Sequence, residues 1–307
     1  MILDDLLFKQ MFERHAAVML LIDPVELIIV DANFAAADFY GYMREEMRGL
    51  PVSRINAQPE SEISPQREQA MRGEKNSFVF SHRLADDAIR IVEVQISTIS
   101  YMGRKLFFSI VHDITERKRA EDLIRKLAFH DALTELPNRH LLHDRLSQAM
   151  AASKRNGSYA ALMLLDLDSF KSLNDRHGHA FGDKVLVEFS KRLKTCMREI
   201  DTLARFGGDE FVVILGQLAE DRNDSFLQVQ AVAEKIRARM AEPYVLEMDG
   251  GQMQRGMVEY VCTASMGAVV FQGCEIAAES ILKWADEAMY RAKMAGGNQV
   301  QFHQSEA

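Results

Sequence analysis

The sequence predicts an α+β protein of two domains joined by a charged helix, and three observations carry that prediction. Three strand candidates, Ser77–Leu84, Ile89–Ile99 and Lys105–Ile114, arrive in succession, separated by Asp86-Asp87 and by Met102-Gly103-Arg104. Next, Glu116–Phe129 is dense in charge and continues a narrow apolar stripe formed by Ile114, Ala120, Leu123, Ile124 and Leu127. The second half then alternates strand-like apolar runs with helical periods around Arg205-Phe206-Gly207-Gly208-Asp209-Glu210-Phe211. With 307 residues the chain is long enough for two cores.

In the first half, Leu3, Leu7 and Met11 at four-residue spacing, joined by Phe8 and Phe12, predict an amphipathic helix. Strands are expected at Ala17–Ile22 and Leu27–Val30, after which Asp31 or Asn33 caps a short helix over Phe34–Tyr40. The polar stretch Asn56–Glu74 predicts a further short helix with loops. Within Ile89–Ile99, Val92, Val94 and Ile96 alternate with Glu93, Gln95 and Ser97, as in an antiparallel strand with one buried face. The stripe on Glu116–Phe129 is thin, and predicts a short parallel coiled coil; a solvated connector helix is the alternative.

In the second half the expected order is strand Tyr159–Asp168, helix Phe181–Arg198, the glycine hairpin, helix Asp224–Met240, strands near Tyr244–Glu247 and Val258–Phe271, helix Ala277–Ala295 and strand Gln299–His303. Helices interleaved with a mainly antiparallel sheet give a layered α+β architecture. Gly207-Gly208 between two apolar runs is a two-residue hairpin signal, because such turns need positive φ. Asp209 and Glu210 follow directly, leaving two carboxylates beside a bare turn. Asp166 and Asp168 close the preceding strand and, two residues apart, share a face. If that strand neighbours the hairpin, Asp166 and Asp209 converge. Hard oxygen ligands of this kind suit Mg²⁺ (or Mn²⁺) carried in with a nucleotide.

Lys171, in a short turn before Asn174-Asp175, is placed where a lysine and backbone amides can meet phosphates, and Lys293 supplies a second lysine on the last helix. Asp183, in Gly178-His179-x-x-Gly182-Asp183, opens another helix and is available for base recognition. Asp168 and Asp175 read as caps of the following turns, and His177 and His179 as parts of the local fold.

Composition excludes other classes. Forty-five acidic residues against 37 basic give a net charge of −8, which disfavours nonspecific nucleic-acid binding. No apolar run reaches the length of a membrane span. Acids stand near the N-terminus where a signal peptide has bases, so a cytoplasmic protein is expected. Cys196, Cys262 and Cys274 show neither CxxC spacing nor paired histidines, which fits a reducing compartment and argues against structural zinc.

Two family resemblances follow. Asp31-x-Asn33, Phe39-Tyr40-Gly41-Tyr42, Glu45-Glu46-Met47-x-Gly49 and the closing Val111-His112-Asp113-Ile114-Thr115-Glu116-Arg117 resemble a PAS sensor domain over roughly residues 8–117. In the second half stand Asp131-x-Leu133-Thr134-x-Leu136-Pro137-Asn138-Arg139, Asp166-Leu167-Asp168-x-Phe170-Lys171-x-Leu173-Asn174-Asp175, Gly178-His179-x-x-Gly182-Asp183, Gly207–Phe211 and Ala285-Asp286-x-Ala288-Met289-Tyr290-x-Ala292-Lys293. In that order they resemble the GGDEF family of diguanylate cyclases. The implied organisation is a PAS sensor over 1–115, a signalling helix over 116–130 and a nucleotidyl-cyclase-like domain over 131–307.

The resemblance implies condensation of two GTP to cyclic di-GMP with release of pyrophosphate. It implies that Asp166, the Leu167 carbonyl and Asp209 hold the metal, with Asp209 or Glu210 deprotonating the attacking hydroxyl; Glu210 binding substrate is the alternative. By the same resemblance Lys171 and Lys293 clamp phosphates, Asn174 and Asp183 read guanine, and Gly207 and Gly208 let substrate approach. Arg198 and Asp201 match the family's product-inhibition motif, against the alternative of an exposed ion pair. One GTP per domain implies a homodimer through the sensor and linker helix.

Two residues depart from the family pattern. Gly297 replaces a usual arginine or lysine, so one phosphate contact is expected to be missing. Glu135 replaces a usual glycine, and nothing in the sequence accounts for it. The sensor's ligand is left open: no cysteine lies in residues 1–130, which excludes a cysteinyl flavin. None of His15, His82, His112 and His130 falls in the helix near Glu60–Gly73 where a haem ligand is expected, and His112 reads as structural. No phosphodiesterase domain is expected after Ala307. The competing functions are a catalytically weak domain that binds GTP or cyclic di-GMP as an effector, and a dimerisation module whose output is a protein contact.

Overall fold

A computed structural model describes residues 5–101, 103–249 and 255–303. The chain divides into two compact units, Met1–Ile124 and Arg125–Ala307. The first contains α1 (Asp5–Arg14), β1 (Val18–Asp23), β2 (Ile28–Ala32), α2 (Phe34–Tyr40), α3 (Arg44–Met47), α4 (Val52–Ile55), α5 (Glu60–Arg72), β3 (Ser77–Arg83), β4 (Ile89–Tyr101) and β5 (Arg104–Asp113). Its strands form one antiparallel sheet in the order β2-β1-β5-β4-β3.

Of the two cap candidates, Asn33 is the one used. Its Oδ1 accepts from Ala36 N at 2.9 Å and from Met19 N at 3.1 Å, while its Nδ2 donates to the Ala17 carbonyl at 2.8 Å. One buried amide therefore both starts α2 and fastens β1 to it. Asp31 instead pairs with Arg44 and Arg48. Along α1, Phe12 is buried and Met11 exposed, while Leu3 lies outside the described residues, as does Met102 of the turn after β4.

Helix α6 (Thr115–Phe129) leaves the sheet at a fixed point. Asp113 accepts from Thr115 N at 2.8 Å, and Thr115 Oγ1 accepts from Ile91 N at 2.9 Å. Ile114 is buried in the first unit and so does not belong to the expected stripe. Leu123, Ile124 and Leu127 are 57%, 66% and 58% exposed in the single chain.

The second unit continues with α7 (Arg139–Asn156), β6 (Ala160–Leu167), α8 (Phe170–His177), α9 (His179–Cys196), β7 (Thr202–Gly207), β8 (Glu210–Leu215), α10 (Arg222–Met240), β9 (Tyr244–Asp249), β10 (Arg255–Tyr260), β11 (Ala264–Phe271), α11 (Ala278–Met294) and β12 (Val300–Phe302). The main sheet runs β12-β11-β6-β8-β7, antiparallel except for the β11–β12 pair; β9 and β10 form a separate ribbon.

Strand β6 is buried along its whole length. Ala161, Met163, Leu165 and Leu167 face a core shared with α8, α9 and α10, whereas Ala160, Leu162 and Leu164 face α7 and α11. An unbroken apolar run is what a strand covered on both faces requires.

The structure corrects several expected elements. Helix α7 was not expected, although Asn138 caps it through His140 N and Leu141 N and Leu142, Leu146 and Met150 recur every four residues on its buried face. The expected strand Val258–Phe271 is two strands, β10 and β11, interrupted at Val261-Cys262-Thr263. Lys171 belongs to α8 rather than to a turn, and α9 begins at His179, so Asp183 lies one turn inside it rather than at its start.

Glu135 and Gly297 both have positive φ, +57° and +73°. The usual glycine at 135 is thus a conformational choice, and glutamate there holds a left-handed backbone. At Gly297 a Cβ would also stand 3.1 Å from the Asp168 carboxylate.

Gly267 in β11 fixes how closely α11 docks. A Cβ there would collide with the Ala285 carbonyl oxygen and the Met289 amide of α11. Gly267→Val is expected to destabilise the second unit by about 3 kcal/mol through overpacking, read as a lower denaturant midpoint with an unchanged slope.

Candidate active site

The site is assembled where β6 ends. Strand β8 pairs antiparallel with β6 and sets Glu210 directly opposite Asp166. Both residues have the parity of the side that faces α7 and α11. The β7–β8 connection places Gly207 opposite Glu210, so the two turn residues are Gly208 and Asp209, one position later than the Gly-Gly pair suggests. Only Gly208 of the two glycines has positive φ, +50°. Asp209 is consequently a turn residue, and its carbonyl accepts from Leu167 N at 3.4 Å. Asp166, Leu167, Asp209 and Glu210 are therefore brought together as expected.

Lys293, near the end of α11, donates to Asp166 Oδ1 at 2.7 Å. It thus rests on a carboxylate of the same cluster. Asp166 is 6% exposed, and its pKa is raised to about 6 by burial, which outweighs the Lys293 hydrogen bond; the nearby Asp209 and Glu210 charges raise it further. Glu210 is also raised, first by burial and then by Asp209 and Asp286, with Lys293 and Arg139 opposing. The negative charge gathered at Asp166 and Glu210, to which the neighbouring Asp209 adds, is of the kind a divalent cation relieves, and carboxylate oxygens are hard donors. Among the described residues no three His, Cys, Asp or Glu side chains are gathered to hold a metal by themselves, so phosphate oxygens would have to complete the shell.

Several contributors had no role, or a different one, assigned from the sequence. Arg205 donates from Nε and Nη2 to the Gly208 carbonyl at 2.9 and 2.6 Å, and from Nη1 to the two Asp131 oxygens at 2.9 and 3.1 Å. Asp131 is itself held by Thr134 N and Oγ1 at 2.8 and 2.6 Å. This arginine braces the turn from behind. Arg139, first residue of α7, lies 4.7 Å from the Phe206 ring centre and acts electrostatically on Glu210. Asp168 does not cap the next turn: it accepts from Thr263 Oγ1 and Ser265 Oγ at 2.6 Å and from Asn298 N at 2.9 Å, tying β6 to β11 and to the loop before β12. The signal for Arg205 and Arg139 was their presence inside the quoted motifs; their partners are remote in sequence.

The remaining expected residues lie around this centre. Lys171 is exposed on α8, whose first turn no side chain caps, and amides at a helix start favour anionic groups. Asn174 lies against Gly182, where any Cβ would collide with it, and its Oδ1 is buried without a partner. Asp183, the next residue, is exposed and lines a cleft of 270 Å³ with Leu133 and Val187. Helices α8 and α9 cover the opposite face from Lys293, so a ligand touching both sets must cross the end of β6. Arg198 and Asp201 are at the far end of β7, about 15–20 Å from the turn. Arg198 N donates to Asp201 Oδ2 at 2.9 Å, and among the described residues no carboxylate pairs with the Arg198 guanidinium. Both residues line a cleft of 480 Å³ and a second of 330 Å³.

Comparison with known proteins decides the family. Residues 128–299 match the family of diguanylate cyclase GGDEF domains, and residues 15–119 match the PAS fold. The chain belongs to the GGDEF diguanylate cyclase family. It is 34% identical to the diguanylate cyclase DgcM of Escherichia coli K12 over 295 residues, covering 95% of this chain and 68% of that protein. It is 38% identical over 191 residues to the bifunctional diguanylate cyclase/cyclic di-GMP phosphodiesterase MucR of Pseudomonas aeruginosa, covering 62% of this chain and 26% of that one. Among solved structures, the GGDEF domain of TpbB (YfiN) from Pseudomonas aeruginosa aligns with TM-score 0.50 at 34% identity, over 57% of this chain and 94% of that one. The coiled coil and GGDEF domain of DgcB from Caulobacter crescentus, in complex with c-di-GMP, aligns with TM-score 0.51 at 29% identity, over 61% and 92%. Among the described residues no helix is long and apolar enough to cross a membrane.

Because the folded state holds the Asp166 proton more tightly than the unfolded chain, this group's contribution to stability falls as pH rises from 3.8 to about 6. In metal-free protein, carboxyl NMR is expected to show Asp166 titrating near 6, and Lys293→Met to move that midpoint higher. An ordinary aspartate midpoint in the native chain would contradict the buried arrangement.

Proposed function

We propose that this GGDEF protein condenses two GTP into cyclic di-GMP, releasing two pyrophosphates, under control of its PAS-fold domain. The observation that carries the reading is the register of β6 and β8, which sets Asp166 against Glu210 with Asp209 in the adjoining turn. We assign 1–115 to the sensor, 116–130 to the signalling helix and 131–307 to catalysis.

In each half-reaction a 3′-hydroxyl oxygen bonds to the α-phosphorus of a second GTP, and the bond from that phosphorus to the bridging oxygen breaks. The hydroxyl proton passes to a carboxylate, and Glu210 is suited because burial and its acidic neighbours raise its proton affinity. A bound Mg²⁺ or Mn²⁺ would neutralise phosphate charge, held by Asp166, Asp209 and the Leu167 carbonyl. With a cation held on Asp166, Lys293 would be available to a phosphate, and Lys171 lies beside the α8 amides for a second such contact. The exposed turn at Gly207 and Gly208 leaves room for the triphosphate.

Guanine is favoured by the acceptor chemistry of Asn174 and Asp183. The partnerless Asn174 Oδ1 and the Asp183 carboxylate suit the N1–H and 2-amino donors of guanine, whereas adenine presents an acceptor at N1. One set of residues per chain handles one GTP, so product needs two catalytic units. The exposed Leu123, Ile124 and Leu127 stripe supports dimerisation through α6. GTP as substrate fits a cytoplasmic location.

Purified protein with GTP and Mg²⁺ is expected to yield two pyrophosphates per cyclic dinucleotide, and Glu210→Gln to lower kcat by about 100-fold or more. GTP binding without turnover would favour the effector reading. Arg198→Ala is expected to raise the product-inhibition constant about tenfold through loss of charged hydrogen bonds, with initial velocity preserved. An unchanged constant would sink the inhibitory assignment.

A further inference from the structure

The charge at the end of β6 is not balanced by the residues so far assigned to it. Asp166, Asp209 and Glu210 gather there, and Asp286 of α11 is a further acid that acts on Glu210. A nucleoside triphosphate brings several more negative charges, which a bound divalent cation offsets only in part. Of the two lysines, Lys293 is held on Asp166 at 2.7 Å, and Lys171 belongs to α8, on the opposite face of the sheet. Gly297, in the loop after α11, contributes no side chain.

A cation on the α7 side is left unspent. Arg139, the first residue of α7, is exposed, and among the described residues its guanidinium has neither an ion pair nor a hydrogen bond. What it touches is the Phe206 ring, 4.7 Å from the ring centre. Phe206 immediately precedes Gly207 and packs on the core that α7 and α11 share, so Arg139 stands on the same side of the sheet as Glu210. Its charge reaches Glu210, where it opposes the neighbouring acids. A guanidinium over a ring uses its flat face and keeps the N–H groups of its edge free to donate. Stability does not account for the placement: the first turn of α7 holds no acid, and the positive end of a helix disfavours a cation. An exposed ring contact returns little against that cost. No acid of the chain pairs with Arg139 among the described residues, so an anion from outside is the partner that fits, and an arginine fork matches two oxygens of one phosphate. We propose that Arg139 binds the phosphate chain of the nucleotide from the α7 side, across the end of β6 from Lys171. That role rests on the GTP site proposed for this cluster and adds a contact that neither lysine supplies.

Binding to the full chain is measured by calorimetry in Mg²⁺ with guanosine and with the α,β-methylene analogue of GTP, whose P–C bridge cannot break. Arg139→Met removes the charge and keeps a side chain long enough to cover Phe206. It is expected to weaken the triphosphate analogue about tenfold, through loss of charge-assisted hydrogen bonds, and to leave guanosine binding unchanged. Arg139→Lys is expected to recover part of that loss, because it restores the charge without the fork. In turnover, Arg139→Met is expected to raise KM for GTP by a similar factor, with the fold retained by circular dichroism. Unchanged analogue binding in folded Arg139→Met, or equal weakening of both probes, would overturn the role of Arg139 and leave the GTP site standing. A wild-type chain that binds neither probe would overturn the GTP site itself and the role of Arg139 with it.

Discussion

A carboxylate at the end of a strand buried on both faces is the constraint around which the second unit is organised. Asp166 is nearly inaccessible and has two further acids beside it, so its charge cannot be held by solvent alone. Lys293 supplies the compensation, and that in turn fixes α11 against the sheet at a spacing that only glycine at 267 permits. Asp168, two residues on, anchors the loop that follows α11 through Asn298. Helix, loop and sheet end are thus bound to one another by two aspartates of β6 and its continuation. Removing one partner of such a group leaves an uncompensated charge, which is why the acids and the lysine form a unit rather than a set of separable contacts.

The turn that carries Asp209 has its own support. Arg205 spans from the Gly208 carbonyl to Asp131, and Thr134 completes the hydrogen bonding of Asp131. The same motif meets the end of α6: Asn138 donates from Nδ2 to the Ala128 carbonyl at 2.9 Å while its Oδ1 caps α7. The last residues of the charged helix and the turn between β7 and β8 therefore belong to one hydrogen-bonded assembly. Arg205 is not interchangeable with lysine here, because its fork serves a carbonyl and a carboxylate at once.

Much of the chemistry was legible in the sequence because it is written in short motifs. Asp166 closes an apolar run and Asp209-Glu210 directly follow a glycine turn signal, and Asn33 is one of the two caps named for α2. What failed were boundaries and roles that depend on distant partners. The Val258–Phe271 run reads as one strand because both pieces are apolar, yet only the separate ribbon of β9 and β10 shows where it breaks. Asp168 looks like a turn cap locally, and its actual partners are 95 and more residues away. Glu135 had no explanation until its left-handed backbone was seen.

By itself the sequence determined two α+β units with a charged helix between them, the family's ordered motifs, and the identity of the acids and the lysine that crowd one site. These are properties of local period, turn chemistry and residue type, which act over a few residues. Only the tertiary structure decided that Glu210 opposes Asp166, that Lys293 rests on a carboxylate, that Arg205 holds the turn and that Arg139, on the Phe206 ring, is left unpaired among the described residues. Each of those depends on strand register, helix docking or burial, and such quantities come from packing elements that are far apart in the chain.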